Sequence, residues 1–179
     1  TLTDLPGMSL AVEVRVLTDG RITLRPTEPR DLGAIDAGAQ DPDVIRWIGP
    51  AWPIDEVFDR LDELRLKGSP TWAITEADGS CRGLVWLNVP GDEPKTRYVG
   101  YWLLPSARGR GLASDAVRLV ATWATQELGV QRLRLATAPD NERSRRVAER
   151  NGFRRIPQSE YRSIDRPTDF IFELPRDDG

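Results

Sequence analysis

The stretch that decides the fold runs from Tyr98 to Val120 and reads YVGYWLLPSARGRGLASDAVRLV. An apolar strand leads into a turn rich in glycine and arginine, and a helix begins directly after the turn. Small and apolar residues form one stripe on this helix: Ala113, Ala116, Val117, Val120 and Ala124. The first turn of such a helix presents unpaired backbone N–H groups and the positive end of the helix dipole. This pattern predicts an anion-binding site, and the alternative interpretation is a flexible, solvated turn.

The turn itself favours a phosphate or pyrophosphate. Gly109 and Gly111 allow the backbone to approach a ligand closely, and Arg108 and Arg110 add positive charge. A Walker loop is excluded because no lysine stands where it would reach a terminal phosphate. A dinucleotide fingerprint is disfavoured because Ser114 occupies its third glycine position and because the preceding strands predict an antiparallel meander.

The composition restricts the chemistry that the chain can perform. With 179 residues, 39% of them hydrophobic and 30% charged, one compact domain is expected. The net charge is −3 with mixed signs, so nucleic acid is not expected as a partner. The chain has no histidine, which excludes Ser/His/Asp and Cys/His catalysis and histidine-ligated zinc, and we expect no metal. The lone Cys81 and the lack of a membrane-spanning or signal-like run favour a cytoplasmic protein without a membrane partner.

Hydrophobic periodicity predicts a mixed α/β protein. Residues 12–16 and 21–26 are interpreted as one strand or a hairpin that turns at Asp19 and Gly20, and Thr27 or Asp31 as the cap of the first helix. Further elements are predicted, in chain order, as helices within 27–40, 41–53 and 54–68, strands at 71–76, 81–89 and 97–104, a helix at 112–128, a strand at 132–137, a helix at 142–151, and strands near 153–156 and 169–174. This order predicts one βαβ crossover. The domain is assigned to residues 8–179, and residues 1–7 are interpreted as an extension or a cloning remnant.

Three segments together resemble the GNAT superfamily of acyl-CoA-dependent N-acyltransferases, and in particular its RimJ/RimL-like branch. The turn carries the family pattern Arg/Gln-x-x-Gly-x-Gly/Ala at Arg108, Gly111 and Ala113. RITLRPTEPRDL is similar to the opening strand and first helix of the branch, and APDNERSRRVAERNGF is similar to its Asn-x-x-Ser … Gly-Phe segment. The resemblance implies a central, mostly antiparallel sheet with a splayed parallel strand pair and helices on both faces.

The resemblance also implies acetyl-CoA, or another acyl-CoA, as the cofactor. Its pantetheine arm would lie between the splayed strands and its pyrophosphate on the turn. The implied contacts are Trp102, Leu103, Leu104, Arg108, Gly109, Arg110, Gly111, Leu112, Ala113, Asn141 and Ser144. In this interpretation Asn141 contacts the pantetheine and Ser144 is a catalytic residue that hydrogen-bonds the thiolate. The same segment is also good helix-capping chemistry, so a purely structural role stays open.

The proton relays of the family are not all present in this chain. The branch often has a glutamate just ahead of its central strand, and the matching position is Tyr98, which is kept as a catalytic candidate. Other GNAT families place a tyrosine beside the sulfur, where this chain has Ala148. Glu160 and Asp165 are two further candidates for the base.

The activity that the resemblance implies is direct transfer of an acyl group, acetyl in the simplest case, to a primary amine within a ternary complex. The acceptor would be a protein N-terminus or a small amine. Trp47 and Trp52 are candidates for the acceptor entrance, and core packing is the alternative for both. A non-catalytic acyl-CoA-binding sensor or partner-binding domain stays open because of Tyr98 and Ala148. A homodimer also stays open, because dimers are common among such proteins.

Overall fold

The fold is built on one mixed sheet, seen in a computed structural model that describes residues 11–89, 93, 95–160 and 169–175. Within these residues the strands are β1 (Leu17–Thr18), β2 (Thr23–Pro26), β3 (Thr71–Thr75), β4 (Cys81–Asn88), β5 (Thr96–Leu103), β6 (Arg132–Thr137), β7 (Arg154–Arg155) and β8 (Phe170–Glu173). The α-helices are α1 (Leu32–Ala39), α2 (Pro42–Trp47), α3 (Val57–Leu66), α4 (Leu112–Gln126) and α5 (Glu142–Arg150). The strand order is β1-β2-β3-β4-β5-β6-β8-β7.

The parallel pair β5 and β6 distinguishes this sheet from a simple meander. All other neighbouring strands are antiparallel, and α4 forms the crossover between β5 and β6. Their pairing extends only from Thr96 opposite Arg132 to Tyr98 opposite Arg134. Beyond that point β5 continues to Leu103 and β6 to Thr137 along fully described segments, but no ladder joins them. The two strands therefore splay apart, and the predicted mixed sheet is confirmed.

The sheet carries an apolar layer on each face because its central strands alternate. Trp72 and Val85 belong to the larger core, into which the small-residue stripe of α4 packs, as predicted. Ala73 and Leu84 belong to a smaller core shared with α1 and α3. Trp102, on β5, joins this second core, so the two faces of one strand contact different helices.

The N-terminal segment departs from its predicted strand. Residues 12–16 form no ladder, and β1 is limited to two residues. The segment is instead held by contacts with other elements: the Val12 N–H donates to the carbonyl of Arg65, and the carbonyl of Arg15 accepts from the Trp72 indole. The predicted turn is present, since Gly20 has a φ of 88° and the Asp19 carboxylate accepts from the N–H groups of Arg21 and Ile22.

Helix boundaries also differ from the expectations by a few residues. The first helix is preceded by a 3-10 turn over residues 29–31, and α4 ends at Gln126. Of the two predicted caps, Asp31 is the N-cap residue of α1, although its side chain makes no capping hydrogen bond to that helix. Glu28 is the N-cap of the preceding 3-10 turn, and the Asp31 carboxylate accepts from the Glu28 N–H at 2.8 Å. No helix among the described residues combines the length and apolar character needed to cross a membrane.

A buried ion pair holds the 3-10 turn that precedes α1 in place. Both terminal nitrogens of Arg25 donate to the Asp31 carboxylate at 2.7 Å, and one also donates to the Gly79 carbonyl. The two side chains are almost fully buried. Burial raises the pKa of Asp31, but the hydrogen bonds from Arg25 and the Glu28 N–H outweigh it, so the pKa lies below its usual value. The pair joins β2, α1 and the β3–β4 hairpin.

Asp31→Asn should lower the free energy of unfolding by about 3 kcal/mol, because it leaves Arg25 as an uncompensated buried charge. Urea denaturation measures the loss, and Asp59→Asn on the exposed side of α3 is the matched control, with an effect within about 0.5 kcal/mol. Since the pKa is lowered in the folded chain, the contribution of Asp31 is present above about pH 4 and disappears as the pH falls further. Equal stability of the two variants would contradict this role.

Candidate functional site

An open cleft of about 620 Å³ lies where β5 and β6 separate. The diverging strands line it with residues 99–103 and 135–138. The first turn of α4 and one face of α5 form one side, α2 contributes Asp43, Val44 and Trp47, and Ile48 follows as the C-cap of α2. The cleft therefore opens at the point where the backbone edges of two strands lack a neighbouring strand.

The glycine-rich turn borders this cleft. Gly109 and Gly111 have φ values of 76° and 81°, a left-handed conformation that favours glycine. Gly111 is the N-cap of α4, and no side chain caps the helix there. The first backbone N–H groups of α4 therefore stay available to an anion, and Leu112 and Ala113 line the cleft beside them.

The arginine side chains of the turn were expected to add positive charge for a phosphate, but they form ion pairs within the protein instead. Arg108 donates to Asp41 at 2.6 Å, to Asp43 at 3.1 Å and to the Leu103 carbonyl at 3.1 Å. Burial raises the pKa of Asp41, but the Arg108 hydrogen bond and neighbouring N–H groups hold it below its usual value. The guanidinium of Arg108 thus links the turn to the start of α2 through these hydrogen bonds.

Arg110 is likewise held, by two hydrogen bonds to Glu76 at 3.0 and 2.9 Å. It does not line the cleft, although Arg108 does. The expected added charge is therefore largely neutralised by nearby carboxylates. The main hydrogen-bond donors that the turn offers to an anion are therefore its backbone N–H groups, rather than these two guanidinium groups.

The predicted contacts on β5 divide between the cleft and the sheet. Trp102 and Leu103 line the cleft, whereas Leu104 does not, and its N–H donates to the Arg82 carbonyl at 2.8 Å. The Trp102 ring lies against α1, where a Cβ added at Gly38 would come within 2.4 Å of it. Its indole is therefore a packing group, and its backbone is the part that a ligand in the gap would contact.

Asn141 and Ser144 meet Tyr101 inside the cleft. The Asn141 side chain accepts from the Ser144 N–H at 3.1 Å and so caps α5. The Tyr101 hydroxyl donates to Ser144 Oγ at 3.2 Å. Burial raises the pKa of Tyr101 to about 12, so this phenol stays protonated and acts as a donor near neutral pH. The capping role is therefore real, and it leaves the Ser144 hydroxyl hydrogen free to point elsewhere.

Tyr98 lies outside the cleft lining, contrary to its expected catalytic role. Its hydroxyl accepts from the buried Arg134 at 3.4 Å, at the last paired position before the strands diverge. Burial raises the pKa of the Tyr98 phenol, although Arg134 opposes this, and the net pKa lies above its usual value. A buried phenol that holds its proton tightly is a poor base, so this geometry favours a structural role for Tyr98.

The other expected sources of a proton relay are also away from the cleft or outside the described residues. Glu160 is exposed and is not part of the lining, and its carbonyl accepts from Arg134 at 3.4 Å. Asp165 lies outside the described residues. Ala148, on the buried face of α5, belongs to the larger core.

Two carboxylates that line the cleft were not proposed as bases from the sequence. They are Asp43 and Asp169, the latter at the start of the predicted closing strand near residues 169–174. Asp169 reaches the cleft because Thr137 pairs with Phe170, which brings the start of β8 beside the open end of β6. Among the described residues no cluster of three or more His, Cys, Asp or Glu side chains could hold a metal ion.

Comparison with known proteins agrees with this geometry. The family model described as "Acetyltransferase (GNAT) domain" matches residues 21–154, which include the splayed strands, the glycine turn and the capped helix α5. The chain belongs to the GNAT acetyltransferase family. The resemblance noted in the three sequence segments is thereby confirmed.

The chain is similar to individual proteins that are described as N-acetyltransferases. It is 36% identical over 76 residues to the "Putative ribosomal N-acetyltransferase YdaF" of Bacillus subtilis, a match that covers 42% of each protein. A solved acetyltransferase from Agrobacterium tumefaciens has a TM-score of 0.75 at 24% identity, covering 94% of this chain and 99% of that one. Mycobacterium smegmatis RimJ in complex with CoA-disulfide has a TM-score of 0.71 at 22% identity, covering 90% and 86%.

Proposed function

We propose that the chain transfers an acyl group, acetyl in the simplest case, from acyl-CoA to a primary amine. The observation that carries this proposal is the cleft itself, in which unpaired edges of β5 and β6 end at an uncapped helix start preceded by two left-handed glycines. Strand edges can pair with the amide groups of a pantetheine arm. The helix start suits a pyrophosphate. The two features lie in one continuous cavity, as binding of one extended molecule requires.

The residues of the cleft have separate roles in this proposal. Backbone N–H groups of β5 beyond Tyr98 orient and polarise the thioester carbonyl. The amine nitrogen forms a bond to the carbonyl carbon while the carbon–sulfur bond breaks. Ser144, oriented by the Tyr101 hydroxyl, donates its hydrogen bond to the departing sulfur. The acceptor nitrogen gives up one proton, and Asp169 is the carboxylate at the open end of β6 that we assign to receive it.

The acceptor enters on the side of α2 in this arrangement. Val44, Trp47 and Ile48 line that part of the cleft, and Ile48 and Trp52 expose 44% of their surfaces. An apolar entrance beside Asp43 suits an amine that carries an apolar neighbour. A protein N-terminus fits this description, and the ribosomal N-acetyltransferase name of one relative is consistent with it. A small amine with an apolar body is the second acceptor class.

The proposed base is tested by Asp169→Asn. We expect kcat to fall about tenfold near neutral pH, a modest loss because an amine can also release its proton to water. Initial rates and the equilibrium affinity for coenzyme A are measured together, and the affinity should stay unchanged. Asp59→Asn is the control, since Asp59 is exposed on α3, away from the cleft. An unchanged kcat in Asp169→Asn would remove this residue from the mechanism.

A non-catalytic acyl-CoA sensor is the second candidate. It is favoured by one observation, the removal of both customary proton relays, because Tyr98 is buried against Arg134 and Ala148 has no polar side chain. The experiment that separates the candidates supplies acetyl-CoA and a panel of amines and short peptides, and it measures thiol release together with the mass of the acceptor. Acylated acceptor with one thiol per transfer supports the enzyme. Tight acyl-CoA binding with no transfer to any acceptor supports the sensor.

A further inference from the structure

Three arginines of α5 form a cationic stripe along the cleft. Arg143, Arg146 and Arg150 all line it, and their spacing of three and four residues places them on one side of the helix. Arg145, on the same helix, is not part of the lining. The nine-residue helix thus directs three of its four arginines to one cavity.

The C-terminal end of this stripe lies next to the glycine-rich turn. The Asn151 side chain, which follows Arg150 directly, donates to Ser114 Oγ in the first turn of α4 at 3.0 Å. In the first turn of α5, at its other end, Ser144 contacts Tyr101 between the splayed strands. The helix therefore runs from the reaction end of the cleft to its phosphate end, and Arg146 and Arg150 lie toward the phosphate end.

The charges of this stripe are only weakly satisfied within the protein. Arg143 lies 3.7 Å from Asp43, and Arg146 lies 3.2 Å from Glu142, in pairs that are largely exposed. Exposed ion pairs contribute little free energy, so a ligand can replace them at low cost. Among the described residues the side chain of Arg150 takes part in no ion pair or hydrogen bond. The end of the stripe nearest the turn is thus the part that has most to gain from an anion.

We infer that Arg146 and Arg150 form a second phosphate subsite that binds the 3′-phosphate on the ribose of coenzyme A. This inference rests on the proposed function, because it takes the pyrophosphate to lie on the turn of α4. Coenzyme A carries its third phosphate on the adjoining ribose, separate from the pyrophosphate. The cleft has two anion-binding sites that match these two groups: backbone N–H groups for the pyrophosphate and guanidinium groups for the 3′-phosphate. Arginine suits a phosphate monoester because its fork can donate two hydrogen bonds at once.

The subsite predicts that the chain discriminates coenzyme A from dephospho-coenzyme A, which differs only in lacking the 3′-phosphate. Calorimetric titration should give a dissociation constant about tenfold lower for coenzyme A, the gain expected from one or two charge-assisted hydrogen bonds. Arg146→Gln/Arg150→Gln should abolish this preference and leave the affinity for dephospho-coenzyme A unchanged. Arg145→Gln, which removes a charge from the same helix outside the cleft, should retain the full preference.

Other results of these titrations would overturn the 3′-phosphate subsite. Equal binding of the two ligands by the native chain overturns the subsite and leaves the proposed function standing. A preference that survives the double substitution, or an equal loss of affinity for both ligands, also overturns it, because the arginines would then act only through general charge. If neither ligand binds, the proposed function fails and the subsite fails with it. Thermal melting of each variant confirms that the helix is still folded.

Discussion

Gly111→Trp should abolish measurable binding of coenzyme A, raising its dissociation constant by more than about a hundredfold. Gly111 is the N-cap of α4 and lines the cleft beside the free N–H groups. An indole at this position fills the space that a pyrophosphate needs. The φ of 81° at residue 111 also strains the backbone of any residue other than glycine, and this strain shifts the N–H groups at the start of α4. Calorimetric titration of the variant with coenzyme A gives the result.

The control for this variant is Gly129→Trp. Gly129 also has a positive φ, of 63°, and a Cβ there would meet nothing within 4 Å, but the residue is not part of the cleft lining. It therefore carries similar strain without filling the cleft. Native-like affinity in Gly129→Trp together with lost affinity in Gly111→Trp locates the pyrophosphate on the turn. Unchanged affinity in Gly111→Trp would mean that coenzyme A binds elsewhere.

Ser144→Ala should lower kcat about a hundredfold while the affinity for coenzyme A changes little. The hydroxyl that the Tyr101 phenol orients is lost, and with it the hydrogen bond that we assign to the departing sulfur. The cap of α5 survives because Asn141 accepts from the backbone N–H of residue 144, which alanine retains. Steady-state kinetics and calorimetry on the same preparation separate the two effects.

Ser80→Ala in the exposed β3–β4 hairpin is the matched control and should leave kcat unchanged. The kinetic result also decides between the two roles that the sequence left open for this segment. A large loss of kcat with intact stability assigns the hydroxyl to the reaction. If Ser144→Ala turns over like the native chain, Asn141 and Ser144 serve only to begin a helix.

The features that could be predicted from the sequence are those that depend on local pattern. The small-residue stripe of α4 repeats with the helical period, so its burial followed from the sequence alone. Asp19-Gly20 and Asp78-Gly79 indicate tight turns by composition, and both hairpins are present. The splayed strands were expected because of the family resemblance, since no periodicity indicates where a ladder stops.

The features that could not be predicted depend on partners far away in the chain. Residues 12–16 alternate like a strand, but Trp72 and Arg65 provide their hydrogen bonds and no ladder forms. Arg108 was expected to bind phosphate, yet the start of α2 brings Asp41 and Asp43 to it.

The identity of the candidate base also depends on residues that are distant in the chain. The role of Tyr98 could not be judged without knowing that Arg134 is buried beside it. Asp169 reaches the cleft only through the pairing of β8 with β6, across a long separation in sequence. The local pattern therefore indicated where the acyl donor binds, and tertiary contacts decided which side chains line the cleft.

In the proposed function, the cleft between β5 and β6 binds acyl-CoA. This binding is measured by calorimetric titration of the native chain with acetyl-CoA, succinyl-CoA and free coenzyme A. We predict one molecule bound per chain, with a dissociation constant on the order of 1–100 µM and tightest binding for the acyl donor that the enzyme uses. If none of the three binds detectably, the proposed function is wrong, because the splayed strands and the glycine turn would then form a family fold without its ligand.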